Sequence, residues 1–261
     1  MRIARKRRAK RGDATFGGSL RLRRKKARRT NAAREEFAPM TIKFFNDPSR
    51  LWKLFTLMLE GAGTTLSIFF LTLVLSLPLG MLVSLGRMSR RRALRWPVSF
   101  YIYLMRSTPL MLQIMFIYFL LPAILPFKVD RFAAVIFAFV INYAAYFAEI
   151  FRSGIQAIPQ GQREAAKVLG YTRAQTFFHI ILPQVVKRVL LPVTNEIITL
   201  IKDTALASTV AVVDLMTVAK KQVSSSSSIE PYLMAILFYL VLNGAAEQLC
   251  KRAERRLDYY R

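Results

Sequence analysis

A chain of 261 residues that is 54% hydrophobic and 12% aromatic carries more apolar material than one soluble domain of that size can bury, while its formal charge is +25. One histidine and one cysteine, Cys250, exclude an internal disulfide and leave too few ligands for a zinc site. Catalysis by a bound metal is therefore not expected.

Residues 1–39 hold 15 Lys or Arg against Asp13, Glu35 and Glu36, a net of +12. Three readings compete for this basic extension. A nucleic-acid arm lacks interleaved aromatics, since only Phe16 and Phe37 occur there. A lipid-binding arm would have to be cytoplasmic. The preferred expectation is that synthesis starts at Met40, so that 1–39 is a disordered or misassigned extension and 40–261 is the domain. No apolar stretch suits a signal peptide.

From Met40 onward the apolar residues fall in long runs. Residues 61–86, 107–127 and 132–148 contain no charge, the length a bilayer asks of a helix. Weaker runs follow at 183–207, interrupted by Glu196, Lys202 and Asp203, and at 231–249, where Glu247 is the single charge. The chain thus reads as an all-α membrane protein with about five transmembrane helices. Residues 96–105, ahead of Arg106, fit either the start of the second span or a separate interfacial helix. Pro78 and Pro109 read as kinks.

Basic residues orient the spans. Arg87, Arg90, Arg91, Arg92 and Arg95 crowd the first loop, and Lys251, Arg252, Arg255, Arg256 and Arg261 crowd the tail, so both are expected on the cytoplasmic side. Counting crossings puts the segment after the third span there as well. Loops near 126–131 and 212–230 then face outward, which suits a flexible, solvated serine run at 224–228.

The cytoplasmic segment "REAAKVLGYTRAQTFFHIILPQ" (163–184) is too ordered for a simple connection. Pro159 suits a first helical turn, 162–169 are mostly helix formers, and Gly170 is placed for a left-handed helix end. Thr172 with Gln175 makes a capping-box pattern, and Pro183 interrupts the helical pattern after Leu182. Ala165 and Ala166 keep the surface of the first helix low, open to a partner's groove. His179 carries no assigned role.

Polar residues inside the spans are costly and therefore worth attention. Asn142, Tyr146, Glu149 and Ser153 form one stripe on the third span, while Asn195 aligns with Lys202 and Glu196 with Asp203 on the fourth. Helix-to-helix pairing accounts for Glu149 beside Arg152. For Asn195, Glu196, Lys202 and Asp203, pairing and contact with a zwitterionic cargo both stand.

The segment "EAAKVLG" followed by nine residues and "IILP" resembles the EAA signature of permease subunits of binding-protein-dependent ABC importers, with Glu164, Ala165, Ala166, Gly170, Ile180, Leu182 and Pro183 in register. "RSTPLMLQ", "NYAAYFAEIFRSGIQAIPQGQREAAKVLG" and "LPVTNEIITLIKDTALAS" are similar to the polar amino-acid branch, with Ser107 where Gly is usual and "KDTAL" for "KDTSL". The resemblance implies a type I importer fold with a coupling helix near 160–171, in a loop of about 155–182, seated on a separate ATPase. It implies a second permease, as homodimer or heterodimer, an extracytoplasmic amino-acid-binding protein, surrounding membrane lipid, and a bacterial cytoplasmic membrane. No cofactor and no nucleic acid are expected, and ATP belongs to the partner. In keeping with that, the chain has no G-x4-G-K-[ST] loop, and "GAGTTL" (61–66) lacks the glycine spacing of a dinucleotide site. A secondary transporter driven by an ion gradient is the alternative, though internal repeats are not evident.

Overall fold

The computed structural model describes residues 47–124 and 129–257. The basic segment 1–39, the Met40 start, part of the 126–131 loop and the last tail residues, Arg261 among them, lie outside the described residues.

Helix α1 (Pro48–Arg87) starts where Pro48, which has no N–H to lose, follows Asp47. The Asp47 carboxylate accepts from the amides of Ser49 at 3.0 Å and Arg50 at 3.4 Å. Its 40 residues make a rod of about 60 Å, twice what the hydrocarbon layer requires. The helix continues through Pro78 without a break.

The second span is broken. Helix α2 (Arg92–Ser107) ends at Thr108–Pro109, and the chain resumes as α3 (Leu110–Met115), a π turn (Phe116–Leu120) and α4 (Leu121–Ile124). The two halves meet at 108°. Both halves pack on α5 (Arg131–Gln156). Ser99 lies beside Arg87, Tyr101 donates to the Ile141 carbonyl, Gln113 meets Asn142, and Arg131 Nε donates to Tyr118 Oη at 3.1 Å. Both halves meet α5 near Ile141 and Asn142 and the second reaches its start at Arg131, so 107–127 is not one straight helix and residues 96–105 belong to the helix before the break. Pro109 gives the physical reason, since it disfavours helical conformation in Thr108.

Helix α5 is the most deeply buried of the spans. It lies along α1, where Gly80 allows backbone approach, and its Phe139, Tyr143 and Phe147 enter a core with Ile68, Val185 and Leu200. After α6 (Gln160–Val168) come α7 (Arg173–Gln175), a second π turn (Thr176–Ile181), α8 (Leu182–Asp203) and a 3-10 turn (Thr204–Val210). From Arg173 to Val210 this is one run of 38 residues. Pro183 therefore does not interrupt the helix as expected. It sits in the first turn after the π segment, where the widened backbone tolerates a missing N–H.

The expected outer loop 212–230 is largely helix α9 (Leu215–Ser226), packed on α1 through Leu215, Val218 and Ala219. Ser224, Ser225 and Ser226 belong to the helix, Ser227 closes it in the left-handed region at φ 52°, and the buried Ser228 hydroxyl donates to Glu230 at 2.7 Å. The serine run is thus not a solvated loop. Helix α10 (Glu230–Leu257) completes the chain. Among the described residues there is no strand. Among the described residues four helices are long and apolar enough to cross a membrane, or five if the broken pair counts as one span.

Candidate functional site

The lever-like corner forms largely as the local chemistry dictates. Gly170 takes φ 78°, its amide donates to the Lys167 carbonyl, and the Tyr171 amide donates to the Ala166 carbonyl, both at 3.1 and 3.0 Å respectively. That pair of bonds is a Schellman end. Two residues later the Gln175 amide donates to Thr172 Oγ1 at 3.3 Å and Gln175 Oε1 accepts from the Thr172 amide at 2.9 Å, closing the capping box. Pro159 stands one position before the first turn, as the N-cap.

The alanine pair does not face one way. Ala166 is 1% exposed, because α6 folds back on the π turn, whereas Glu164, Ala165, Val168 at 87% and Leu169 at 73% are open to solvent. Docking on this corner would meet Ala165 and the Val168–Leu169 edge, with Ala166 holding the helix down from behind. Ile180 and Leu182 are half-buried, and Pro183 is exposed. His179 Nδ1 lies 3.1 Å from the Gln175 carbonyl of its own turn.

At the same end, Glu149 joins α1 to α5. Its Oε2 accepts from Arg152 Nη2 at 2.6 Å and Nε at 3.0 Å, and its Oε1 lies 3.6 Å from Arg87 Nε. Such a bidentate pair is strong because both donors and the acceptor are charged. Ser153 bonds back to the Ile150 carbonyl.

Deeper in the bundle a polar layer spans three elements. Tyr143 Oη donates to Asp203 Oδ2 at 2.8 Å, and the Arg106 guanidinium lies 5.3 Å from the centre of the Tyr146 ring. The charge of Arg106 also acts on Glu149 and Glu196, and Glu196 and Asp203 act on each other. Of the sequence candidates, Tyr146 and Glu196 are therefore brought near Arg106, and Asp203, held by Tyr143, lies close enough to Glu196 to act on it. Asn195 and Lys202 are exposed, the Lys202 charge still acting on its neighbour Asp203. Asn142 is 3% exposed, and its amide donates to the Met105 carbonyl at 3.0 Å and Gln113 Oε1 at 2.9 Å. It closes the joint of the broken span rather than lining an open surface.

Arg106, Tyr143 and Gln113 were missed as site residues. Arg106 closes α2 immediately before a charge-free run, and a reading that seeks straight spans assigns such an arginine to a boundary. The Thr108–Pro109 break was the signal that could have placed it at depth.

The family described as "Binding-protein-dependent transport system inner membrane component" matches residues 76–259. The arginine transport system permease protein ArtQ of Bacillus subtilis is 38% identical over 201 residues, 77% of this chain and 92% of that protein. The glutamine transport system permease protein GlnP of Escherichia coli is 34% identical over 213 residues, covering 81% and 97%. Among solved structures, an amino acid ABC transporter crystallised with histidines gives a TM-score of 0.75 at 33% identity, over 83% of this chain and all of that one. A methionine transporter, MetNI, in an inward-facing form shares the fold at a TM-score of 0.64 and 20% identity. The chain belongs to the binding-protein-dependent inner membrane components, the multi-pass permease subunits of ABC importers.

Proposed function

We propose that the chain is the transmembrane subunit of an ATP-driven importer of polar amino acids in a bacterial cytoplasmic membrane. The arginine, glutamine and L-cystine permeases among its relatives support that cargo class. A binding protein delivers the cargo outside, a second permease completes the path, and a separate ATPase supplies force. ATP binds that partner, so this subunit needs no cofactor and performs no catalysis of its own.

The observation that carries the mechanism is the corner at Gly170. A short helix fixed by a Schellman end and a capping box, with Glu164, Ala165, Val168 and Leu169 exposed, leads without a break into the 38-residue run from Arg173 to Val210. A groove closing on α6 would turn that whole run as one body. Rigid-body rotation of this kind opens the path alternately to either side, provided nucleotide binding favours one state. Ile180, Leu182 and Pro183 lie in the first turns of the moving rod, and Ala166 seats the lever against it.

The polar layer is the proposed cargo path. Arg106 faces a carboxylate, Glu196 and Asp203 face an amine, and Tyr146 offers a ring and a hydroxyl between them. Asn195 and Lys202 border the same helix where a second permease would approach, and Asn142 keeps the joint below the layer in register.

Glu164→Lys and Gly170→Leu test the lever. Both variants should insert and assemble, yet lose cargo-stimulated ATP hydrolysis by roughly tenfold or more, the scale of a lost charge contact or of a left-handed residue forced to carry a side chain. Wild-type stimulation in both would remove the lever reading.

A further inference from the structure

Where the C-terminal ends of α1 and α5 meet the starts of α2 and α6, a cavity of about 750 Å³ opens. Arg87, Arg95, Arg152 and Arg163 line it, one from each of the four helices, and no acidic side chain does. Glu149 behind them engages Arg152 and Arg87. Four guanidinium charges against one carboxylate leave three in excess. Glu164 is occupied on the same helix, accepting from Gln160 at 2.9 Å.

Two of these arginines are nearly idle. Among the described residues the Arg95 guanidinium makes no hydrogen bond or ion pair, its backbone alone bonding to Arg91 and Ser99, and the Arg163 guanidinium reaches only the Ile155 carbonyl at 3.5 Å. Like charges drawn around one opening repel unless an anion sits among them. A guanidinium fork suits phosphate oxygens in particular.

The position narrows the source of that phosphate. The crowded basic loop puts the cavity at the cytoplasmic face, where anionic headgroups concentrate. Beside Arg95, helix α2 turns outward Leu94, Trp96 at 73% exposure and Phe100, the two rings stacked at 6.1 Å. Tryptophan next to a cationic cavity matches the headgroup level of a bilayer, with apolar surface alongside for acyl chains.

We propose that this cavity binds the phosphate headgroup of an anionic lipid of the cytoplasmic leaflet. Four helices that otherwise repel through their arginines are bridged by it, among them the lever helix α6. The assignment stands apart from the transport reading, because its readout is lipid retention.

The full-length chain in detergent, titrated with phosphatidylglycerol or phosphatidylcholine and weighed by native mass spectrometry, should retain one phosphatidylglycerol in preference. Arg95→Gln with Arg163→Gln should weaken that binding roughly tenfold or more, at about 1 kcal/mol per basic residue. Arg252→Gln with Arg256→Gln, on the exposed basic end of α10, should leave it within about twofold. Arg95→Lys should fall between, since it keeps the charge and loses the fork. The exchanged side chains are exposed, so unchanged thermal midpoints are expected and show that the variants fold. Equal losses from the two double variants would reduce the effect to diffuse charge and overturn the site. So would displacement of the lipid by millimolar inorganic phosphate, which would make it a soluble-anion site. Displacement of the lipid by the ATPase subunit, with the same arginines protected, would assign them to protein docking and also overturn it.

Discussion

Asp214 is fully buried at the head of α9, and its carboxylate accepts from the Thr217 amide at 2.9 Å and the Met216 amide at 3.3 Å. Burial pushes its carboxyl above the usual range, and the bonds from Thr217 oppose that rise without cancelling it. The sign follows. A raised value means the fold disfavours the ionised form, so stability should increase as pH falls through that value, until the unfolded carboxyl also protonates near its ordinary value of 3.8. Asp214→Asn keeps an acceptor and removes the buried charge, so its thermal midpoint near pH 7 should equal or exceed that of wild type. Asp214→Ala loses the cap and should cost about 1 kcal/mol. Unfolding followed from about pH 8 to about pH 4 distinguishes them, because the wild-type slope with pH should vanish in the Asn variant.

At the scale of elements, the most extensive contact is that of α1 with α5. A Cβ added at Gly80 would stand 2.7 Å from Phe147 Cβ and 3.1 Å from the Ala144 carbonyl, whereas one at Gly63 would meet nothing within 4 Å. Gly80→Leu should therefore destabilise by about 1–3 kcal/mol through overpacking, and Gly63→Ala should be neutral or slightly stabilising. Thermal unfolding of the two variants side by side checks this. The same contrast shows what the sequence made legible. Charge-free runs placed the spans, and Gly170, Thr172 and Gln175 specified their turn and cap, because those signals are local. Pro109 marked the break after Ser107 but not its size, and that bend, the inward face of Ala166 and the folding of the serine run depend on partners distant in the chain. Ile141 accepts from Tyr101, the second π turn covers Ala166, and α1 covers α9. Pro183 misled because proline rules assume regular α geometry, and the π turn before it changes that geometry.

For the whole molecule, the charge pattern and the helix order together predict which surface meets which compartment. The α6 corner, the loop after α1 and the end of α10 should share one side, and α9 the other. A Cys250→Ser background carrying Gln162→Cys or Ser225→Cys, both positions exposed, tests this with a membrane-impermeant maleimide. Ser225→Cys should label in intact cells, and Gln162→Cys only after lysis. Labelling of both from outside would refute the topology. Outside α5 the spans leave much of their apolar surface open, with Leu237, Leu240 and Val241 of α10 and Phe70 and Val74 of α1 exposed. Lipid and a second permease are the expected covers in the proposed importer.

The broken second span also constrains how the protein is made. Its Tyr101 hydroxyl, Met105 carbonyl and Gln113 amide find their partners on Ile141 and Asn142 of α5, a helix synthesised later. Polar groups at a mid-membrane break cannot stay unsatisfied in hydrocarbon. From within the segment Gln113 already serves the Met105 and Thr108 carbonyls, but the Tyr101 hydroxyl and Gln113 Oε1 gain their partners only once α5 has been made, so the joint is completed by a helix that follows it in the chain.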